Sequence, residues 1–316
     1  MNYISDNYFD KLTFGPIEKN HQKVGIIGSG PAGITIAICL AKKGYDITVF
    51  ESKDKLGGVL RYGIPEFRLP RTILDRIEVK MKSLGIKLRY NTSIGTVIGI
   101  DEMFRDGYEA IFIGTGVWKP QRLNIKGETL GNVHFAINYL TNPDVYNLGE
   151  KLIVIGAGNS AMDVARTALR KGVREVTVFS RGEGPSASIT EQEYAKADGV
   201  LFEVLKTPVE ITDKGVIFKN LDPSSEGEEK LHEADSVIIA ISQGPRNRIV
   251  STTFGIEVNE KGLVVTNEEG ATTREGVFAS GDVVKGAKTV VEAVRYSKQV
   301  AESMDRYIKS KKSSNL

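Results

Sequence analysis

The run Gly28-Ser29-Gly30-Pro31-Ala32-Gly33 carries the first chemical signal of the chain, and Gly156, Gly158 and Ala161 carry a second with the same spacing. In such a run the first glycine permits a tight turn and the second lets backbone approach a pyrophosphate. The third lets a helix pack closely on a strand. Free amides at the start of that helix would then hold the phosphate charge. The two runs lead to different residues. Beyond Gly33, Glu51 stands at the end of the next apolar stretch, where a carboxylate would accept hydrogen bonds from ribose hydroxyls. The second run leads instead to Ser180-Arg181, with no acid at the expected place. A carboxylate there would repel a 2'-phosphate, whereas a guanidinium can pair with it, which favours NADPH over NADH. The reading of Arg181 as a solvated strand-end residue stays open, because no second arginine stands beside it.

A third signal is Gly281-Asp282, after the apolar "GVFA". A carboxylate at that point can accept from ribityl hydroxyls, and the next helix, starting near Lys288-Thr289, would aim its positive end at the pyrimidine edge of a flavin. Together with Glu51, this makes FAD the natural occupant of the first site. Two cradles then mean two nucleotides. A domain inserted in another can lay a nicotinamide against a flavin so that hydride passes from C4 to N5, a transfer that asks for no side-chain acid or base. His21, His134 and His232 are scattered in sequence and are assigned no catalytic role.

The elements that must position these residues form an internal repeat, one copy turning at Gly28 and the other at Gly156. Each copy reads strand, glycine turn, helix, strand. In the first, "KVGIIGSGPAGITIAICLAKKGYDITVFE", the helix closes in Lys42, Lys43 and Gly44; in the second, "KLIVIGAGNSAMDVARTALRKGVREVTVFSR", it closes in Arg170, Lys171 and Gly172. Such units imply parallel strands and a doubly wound sheet. A helix is expected over about 71 to 83. A buried strand should end in Gly114-Thr115-Gly116, and alternating, strand-like stretches should come near 200 to 220. The helix "KTVVEAVRYSKQVAESMDRYI" comes last, and the terminal "KSKKSSNL" is expected to fray. The fold class is therefore α/β with two dinucleotide-binding, Rossmann-like domains. Residues 1–123 and 248–316 form an FAD-binding domain, into which an NAD(P)H-binding domain, 124–247, is inserted.

Composition narrows the partners. Of 316 residues 41% are hydrophobic and 26% charged, with a formal charge of only +2, so no basic face argues for nucleic acid or a membrane surface. No apolar run reaches the length of a membrane span, and the start lacks the features of a signal peptide; the expected location is the cytoplasm. The single cysteine, Cys39, forbids an internal disulfide and any cysteine-ligated cluster, and a disulfide reductase needs a cysteine pair beside its flavin. Cys39 reads as a small buried hydrophobe. The histidine-containing fingerprint of a flavin monooxygenase is absent between the two cradles.

The stretches "GGVLRYGIPEFRLP", "GAGNSAMDVARTAL", "AISQGPRN" and "GVFASGDVVKGAKTVVEAV" carry a resemblance. From about 22 to 308 the chain resembles the FAD- and NADPH-binding part of the glutamate synthase small-chain family. That family includes the flavin subunit of the ferredoxin:NADP transhydrogenase and the corresponding region of dihydropyrimidine dehydrogenase. The resemblance implies the two-domain arrangement of the disulfide reductases. It implies that Gly58, Leu60 and the stretch from Arg61 to Arg68 wrap the FAD, that Asn159 and Ser160 meet the NADPH phosphates, and that Arg181 meets the 2'-phosphate. The expected FAD set is then Gly28, Gly30, Pro31, Ala32, Gly33, Glu51, Gly58, Leu60, Arg61, Arg68, Gly114, Thr115, Gly116, Gly281, Asp282, Thr289 and Val290. The expected NADPH set is Gly156, Gly158, Asn159, Ser160, Ala161, Ser180, Arg181 and Gly244; no metal site is expected. Two departures from the family pattern stand out: about twenty cysteine-free residues stand before the first strand, where family members usually carry a cysteine-rich domain, and "FSRGEG" stands where the family commonly has adjacent arginines.

The expected function is thus a flavin hub that exchanges electrons between NADPH, with NADH left open, and a partner iron-sulfur or flavin protein. Two alternatives stay open: a nucleotide-binding scaffold or regulatory subunit in which no electrons move, and a self-sufficient flavin reductase of a small organic substrate. The sequence leaves open the acceptor, the direction, a homo-oligomer, and whether the segment from Met1 to Asn20 docks a partner or covers the first domain.

Overall fold

A computed structural model describes residues 15–96, 98–246 and 248–314. In chain order the elements are β1 (Lys23–Ile27), α1 (Pro31–Ala41), β2 (Asp46–Phe50), α2 (Val59–Tyr62), α3 (Arg71–Ser83), β3 (Lys87–Arg89), α4 (Ile100–Arg105), β4 (Tyr108–Ile113), β5 (Lys119–Pro120), β6 (Val133–Phe135), α5 (Ala136–Thr141), β7 (Lys151–Ile155), α6 (Asn159–Arg170) and β8 (Glu175–Phe179). They continue with α7 (Ile189–Ala197), β9 (Leu201–Glu203), β10 (Lys206–Thr212), β11 (Gly215–Asn220), β12 (Glu229–Glu233), β13 (Ser236–Ile239), β14 (Gln243–Gly244), α8 (Arg248–Thr252), β15 (Val277–Ala279), α9 (Asp282–Lys285) and α10 (Val290–Ser314). The chain divides into two compact units. The first holds residues up to Arg61, Leu69–Lys119 and Gly244 onward, and the second holds Tyr62–Arg68 and Pro120–Gln243.

The first unit is built on a five-stranded parallel sheet in the order β15-β4-β1-β2-β3. Parallel strands need both faces covered, so β1 and β4 read as near-continuous apolar runs, and Val24, Ile26, Ala110, Ile111 and Phe112 are fully buried. Each such large side chain contributes roughly 1.5–3 kcal/mol through burial. On one face α1 and α10 pack through Ile36, Leu40, Val300, Met304 and Ile308; the other face is closed by Ile94, Met103, Ile256, Val264 and Val283. Tyr45 ties the layer to α10 by donating its hydroxyl hydrogen bond to Asp305 at 2.7 Å. α1 ends where the basic residues and glycine predict, with Lys42 as its cap and Gly44 in the left-handed region at φ +91°.

The second unit repeats the plan. Its parallel sheet runs β6-β13-β7-β8-β9, so β7, β8, β9 and β13 hold the places that β1, β2, β3 and β4 hold in the first. Residues Ala161–Ala168 of α6 are buried on every side, which makes this helix the centre of its layer. A separate antiparallel meander, β10-β11-β12, packs Ile211, Val216 and Phe218 against Ile153, Phe179 and Val237. Its twofold alternation is what the sequence displays near 200 to 220.

At the C-terminus α10 runs into the stretch expected to fray, as far as Ser314, since lysine is a good helix former and Lys311 and Lys312 favour the negative end of the helix dipole; Asn315 and Leu316 of that stretch lie outside the described residues. Most of the segment from Met1 to Asn20, with its open docking or covering role, lies outside the described residues. Among the described residues no helix is long and apolar enough to cross a membrane.

Candidate functional site

In the first unit β1 turns into α1 at Gly28, whose φ of +98° is a left-handed value that other residues rarely adopt. A Cβ there would stand 2.6 Å from the carbonyl oxygen of Gly114, and one at Gly33 would stand 2.0 Å from that of Gly28. Both contacts are with backbone, so neither can give way. Gly30 is different: its nearest neighbour to an added Cβ is Gly114 O at 4.0 Å. That open side adjoins the first turn of α1, which begins on Gly30 with Pro31 next and with no side chain accepting from its amides. Uncapped amides beside an open glycine face form an anion cradle.

Glu51 holds this turn in shape. Its Oε2 accepts from the amide of Ser29 at 2.9 Å and from the Ser29 hydroxyl at 2.5 Å, and its Oε1 accepts from the amide of Lys53 at 2.8 Å and from Ser52 Oγ at 3.2 Å. Two of these donors are hydroxyls, which rotate; they can turn away and leave their lone pairs to a ribose diol while the two amides keep the carboxylate in place. Ser29, Ser52 and Lys53 carry no distinct signal in the sequence, because a serine among glycines is an ordinary turn residue.

Around the turn stand the other residues expected at a flavin. Gly58, at φ +54°, brings its backbone against Gly30: a Cβ on it would lie 2.8 Å from Gly30 Cα. Arg61 donates to the Leu56 carbonyl at 2.8 Å and pairs with Asp75 at 2.5 Å, and the Leu60 carbonyl accepts from Arg71 at 3.0 Å. The Gly114 amide donates to Ile27 O at 2.8 Å, the Thr115 carbonyl accepts from the Trp118 indole at 2.9 Å, and Gly116 is left-handed at φ +68°. Gly281, at φ +77°, would set a Cβ 3.1 Å from the Ala32 methyl, so this second turn lies on the first turn of α1. Burial pushes the Asp282 carboxyl above the ordinary carboxylate range. A groove of about 250 Å³ opens there, lined by Gly281, Asp282, Lys285, Lys288, Glu292 and Tyr296. Two features here are not anticipated from the sequence. One is the short α9 between Asp282 and α10. The other is the reciprocal cap of α10: the Glu292 carboxylate accepts from the Thr289 amide at 3.1 Å and from its hydroxyl at 2.7 Å, and Thr289 Oγ1 accepts from the Glu292 amide at 3.2 Å. The positive end of the helix beginning at Val290 is therefore already met by a carboxylate.

The second unit makes the same turn. Gly156 has φ +108°, and a Cβ on it would stand 2.5 Å from Ala240 O; Gly158 is open, with Ser186 Oγ nearest at 3.8 Å. α6 also starts on glycine without a side-chain cap. Asn159 is exposed, and its side-chain oxygen accepts from the Ser188 amide at 2.9 Å; Ser160 is half-buried, and Ala161 is fully buried where the first unit has Gly33. Ser180 folds the loop after β8 by donating to Gly184 O at 3.2 Å and accepting from the Gly182 amide at 3.3 Å. Arg181 is exposed and makes no hydrogen bond or ion pair among the described residues. Gly244, expected with this set, groups by its contacts with the first unit, where its carbonyl accepts from the Trp118 amide at 3.0 Å.

Arg68 is engaged in the second unit. Its Nη1 lies 2.7 and 2.8 Å from the two oxygens of Asp163, and its Nη2 lies 2.7 Å from Glu191 Oε1. Burial raises the Asp163 carboxyl to about 6 against the pull of the Arg68 guanidinium. A lone acid in the middle of "SAMDVA" is the one sequence signal that marks this cluster. The remaining candidates stand apart from both turns. Burial raises the half-buried Cys39 thiol. His21 is exposed, His134 packs edge-on to Tyr146, and His232 packs edge-on to Phe179 and Phe218. No group of His, Cys, Asp and Glu among the described residues is placed to hold a metal ion.

Two parallel sheets, each with an uncapped helix start behind a glycine turn, define a two-cradle dinucleotide fold of the reductase type. The family model of the pyridine nucleotide-disulphide oxidoreductases matches residues 22–297, and the chain belongs to that family. It is similar to the beta subunit of the NADP(+)-dependent formate dehydrogenase of Moorella thermoacetica, with 37% identity over 91% of this chain and 44% of that one. It is 33% identical to the glutamate synthase (NADPH) small chain of Halomonas elongata, over 97% of this chain and 73% of that one. Among solved structures, thioredoxin reductase of Lactococcus lactis shares the fold, with a TM-score of 0.73 at 23% identity over 92% of this chain and 99% of that one.

Proposed function

We propose that the chain is an FAD-dependent NAD(P)H oxidoreductase that holds FAD in its first unit and NADPH in its second, and that exchanges electrons with a partner iron-sulfur or flavin protein. The observation that carries this reading is the pair of uncapped, glycine-started helices, α1 and α6, one followed by the buried carboxylate of Glu51 and the other by the exposed guanidinium of Arg181, which has no partner among the described residues. The bound flavin supplies reversible hydride chemistry with the nicotinamide. The chain's own residues bind and orient. The amides of α1 and α6 meet pyrophosphates, Glu51 accepts from a ribose diol, and Arg181 pairs with a 2'-phosphate. The 316 residues hold one cysteine, Cys39, and so no pair to take up disulfide chemistry; a partner iron-sulfur or flavin protein is the acceptor this reading assigns.

The relatives support a partner, since two of them are named as a subunit or a small chain. The present chain spans less than half of the formate dehydrogenase subunit, so the acceptor is not carried over from it. We place the reaction in the cytoplasm, where a chain with one cysteine stays reduced.

An anaerobic titration tests the reading. Purified protein should be yellow, and its flavin band at about 450 nm should bleach with NADPH at much lower concentration than with NADH. Equal bleaching by both keeps the oxidoreductase and removes the 2'-phosphate role of Arg181. A colourless protein, or a flavin that neither nucleotide bleaches, replaces the proposal with a scaffold.

A further inference from the structure

Tyr62–Arg68 belongs by its contacts to the second unit, although the chain on both sides of it belongs to the first. The segment is anchored at both ends. At its start the Tyr62 carbonyl lies 3.1 Å from Thr141 Oγ1 of α5, which shares its single proton between that carbonyl and Ile137 O of its own helix at 2.7 Å. At its end Arg68 grips Asp163 of α6 through both carboxylate oxygens and Glu191 of α7 at 2.7 Å. Between them the Phe67 ring is faced by the guanidinium groups of Arg170 at 4.2 Å and Arg166 at 5.0 Å. Arg166 in turn joins Glu191 at 3.3 Å and Asp198 at 2.8 Å, so the anchor is a network rather than one pair.

The anchor is a strong one for a physical reason. The Asp163 side chain is 6% exposed, and a buried carboxylate that loses its cation is strongly unfavourable. Asp163 lies one turn beyond Asn159, on the helix that presents the second cradle. Immediately before the segment stand Gly58, Leu60 and Arg61, and Gly58 touches the backbone of the first cradle at Gly30.

We propose that Tyr62–Arg68 is a strap that makes the two nucleotide sites cooperative, with Arg68 and Asp163 as positioning residues that act through α6 rather than by touching a nucleotide. This rests on the occupants proposed above. A flavin nucleotide in contact with Gly58–Arg61 adds to the hold that Leu56, Asp75 and Arg71 already keep on the entry to the strap, and so lowers the entropic cost of docking Tyr62–Arg68. The docked strap holds α6, and α6 holds the cradle of Gly156, Gly158 and Asn159 in its binding form. Linkage is reciprocal: a ligand on α6 must tighten the hold on the flavin by the same factor.

That reciprocity gives the experiment. NADP+, which cannot reduce the flavin, is added at saturation to the holoprotein, and release of FAD on dilution is followed by its fluorescence. NADP+ should slow release about tenfold in the native protein, within the usual range of coupling between sites. In Arg68→Met the slowing should fall below about twofold, with NADP+ binding still seen by calorimetry. Arg68→Lys, which keeps one charge, should fall between. Thr141→Val removes the other anchor without touching a charge and should lose part of the effect, which guards against a Met variant that merely folds poorly. Native protein that holds FAD and binds NADP+ but releases FAD equally fast with or without it overturns the strap alone. So does an Arg68→Met protein that keeps the full effect. A protein that binds neither nucleotide overturns the strap together with the function on which it rests.

Discussion

At Gly33 an added Cβ would stand 2.0 Å from the Gly28 carbonyl oxygen, whereas the corresponding place in the second unit already holds a methyl group, that of the fully buried Ala161. The two turns share their left-handed first glycine, their open second glycine and their uncapped helix. They differ in how closely the helix rides on the turn, and in the charge that the next strand delivers. In the first unit that charge is a carboxylate bound by four donors of its own chain; in the second it is a guanidinium bound by none among the described residues. In the function proposed above, one backbone device would serve two ligand chemistries, with the side chain at the end of the second strand selecting between them.

Opposite exchanges at the third position break this comparison most sharply. Gly33→Ala drives a methyl into backbone that cannot move, and overpacking of this kind costs about 1–3 kcal/mol or more. Flavin content, read as absorbance at about 450 nm against protein, should fall at least tenfold. Ala161→Gly loses only helix propensity and a methyl contact, about 1 kcal/mol, and should leave FAD bound. Next comes Glu51→Ala, which leaves the amides of Ser29 and Lys53 without their acceptor at about 1–3 kcal/mol. FAD affinity, followed by fluorescence quenching, should drop ten- to a hundredfold, and an unchanged affinity would remove Glu51 from the site. Arg181→Ala should raise KM for NADPH about tenfold, the loss of one charge-assisted contact, and leave KM for NADH within about twofold. A parallel change for both nucleotides would mean that the guanidinium is only solvated.

The smallest effect concerns pH. The Asp163 carboxyl is raised from 3.8 to about 6, so between those values the folded chain holds a proton that the unfolded chain has released. The stability from this group is therefore full below the lower value and is lost as pH rises through about 6. Asp163→Asn should remove that slope, so that urea midpoints measured at about pH 4.5 and about pH 7 lie closer together than in the native protein. If the native slope survives in the variant, another group carries it.

Much of the fold is legible in the sequence because it is local. The offset between Gly28 and Gly156 also relates β4, from Tyr108, to β13, from Ser236, so the duplicated sheet is implied by strand pattern and glycine spacing alone. The helix over 71–83 and the alternating meander are equally local. Arg68 is not. Its partner is the distant Asp163, and no periodicity in "GIPEFRLP" announces a partner on α6. The cap of α10 is legible in principle, since Thr289 and Glu292 stand at capping-box spacing, but a residue expected to face a ligand draws attention away from its duty to its own helix.

The order of strands also bears on how the chain is made. β4 ends at Ile113, yet its outer neighbour β15 begins only at Val277, after the whole of Pro120–Gln243. On a ribosome the second sheet has all its strands while the first still shows one bare edge, of the apolar run "YEAIFI". A nascent chain stalled between these points offers that edge to any other extended segment, and the last strand to emerge is the one that closes it.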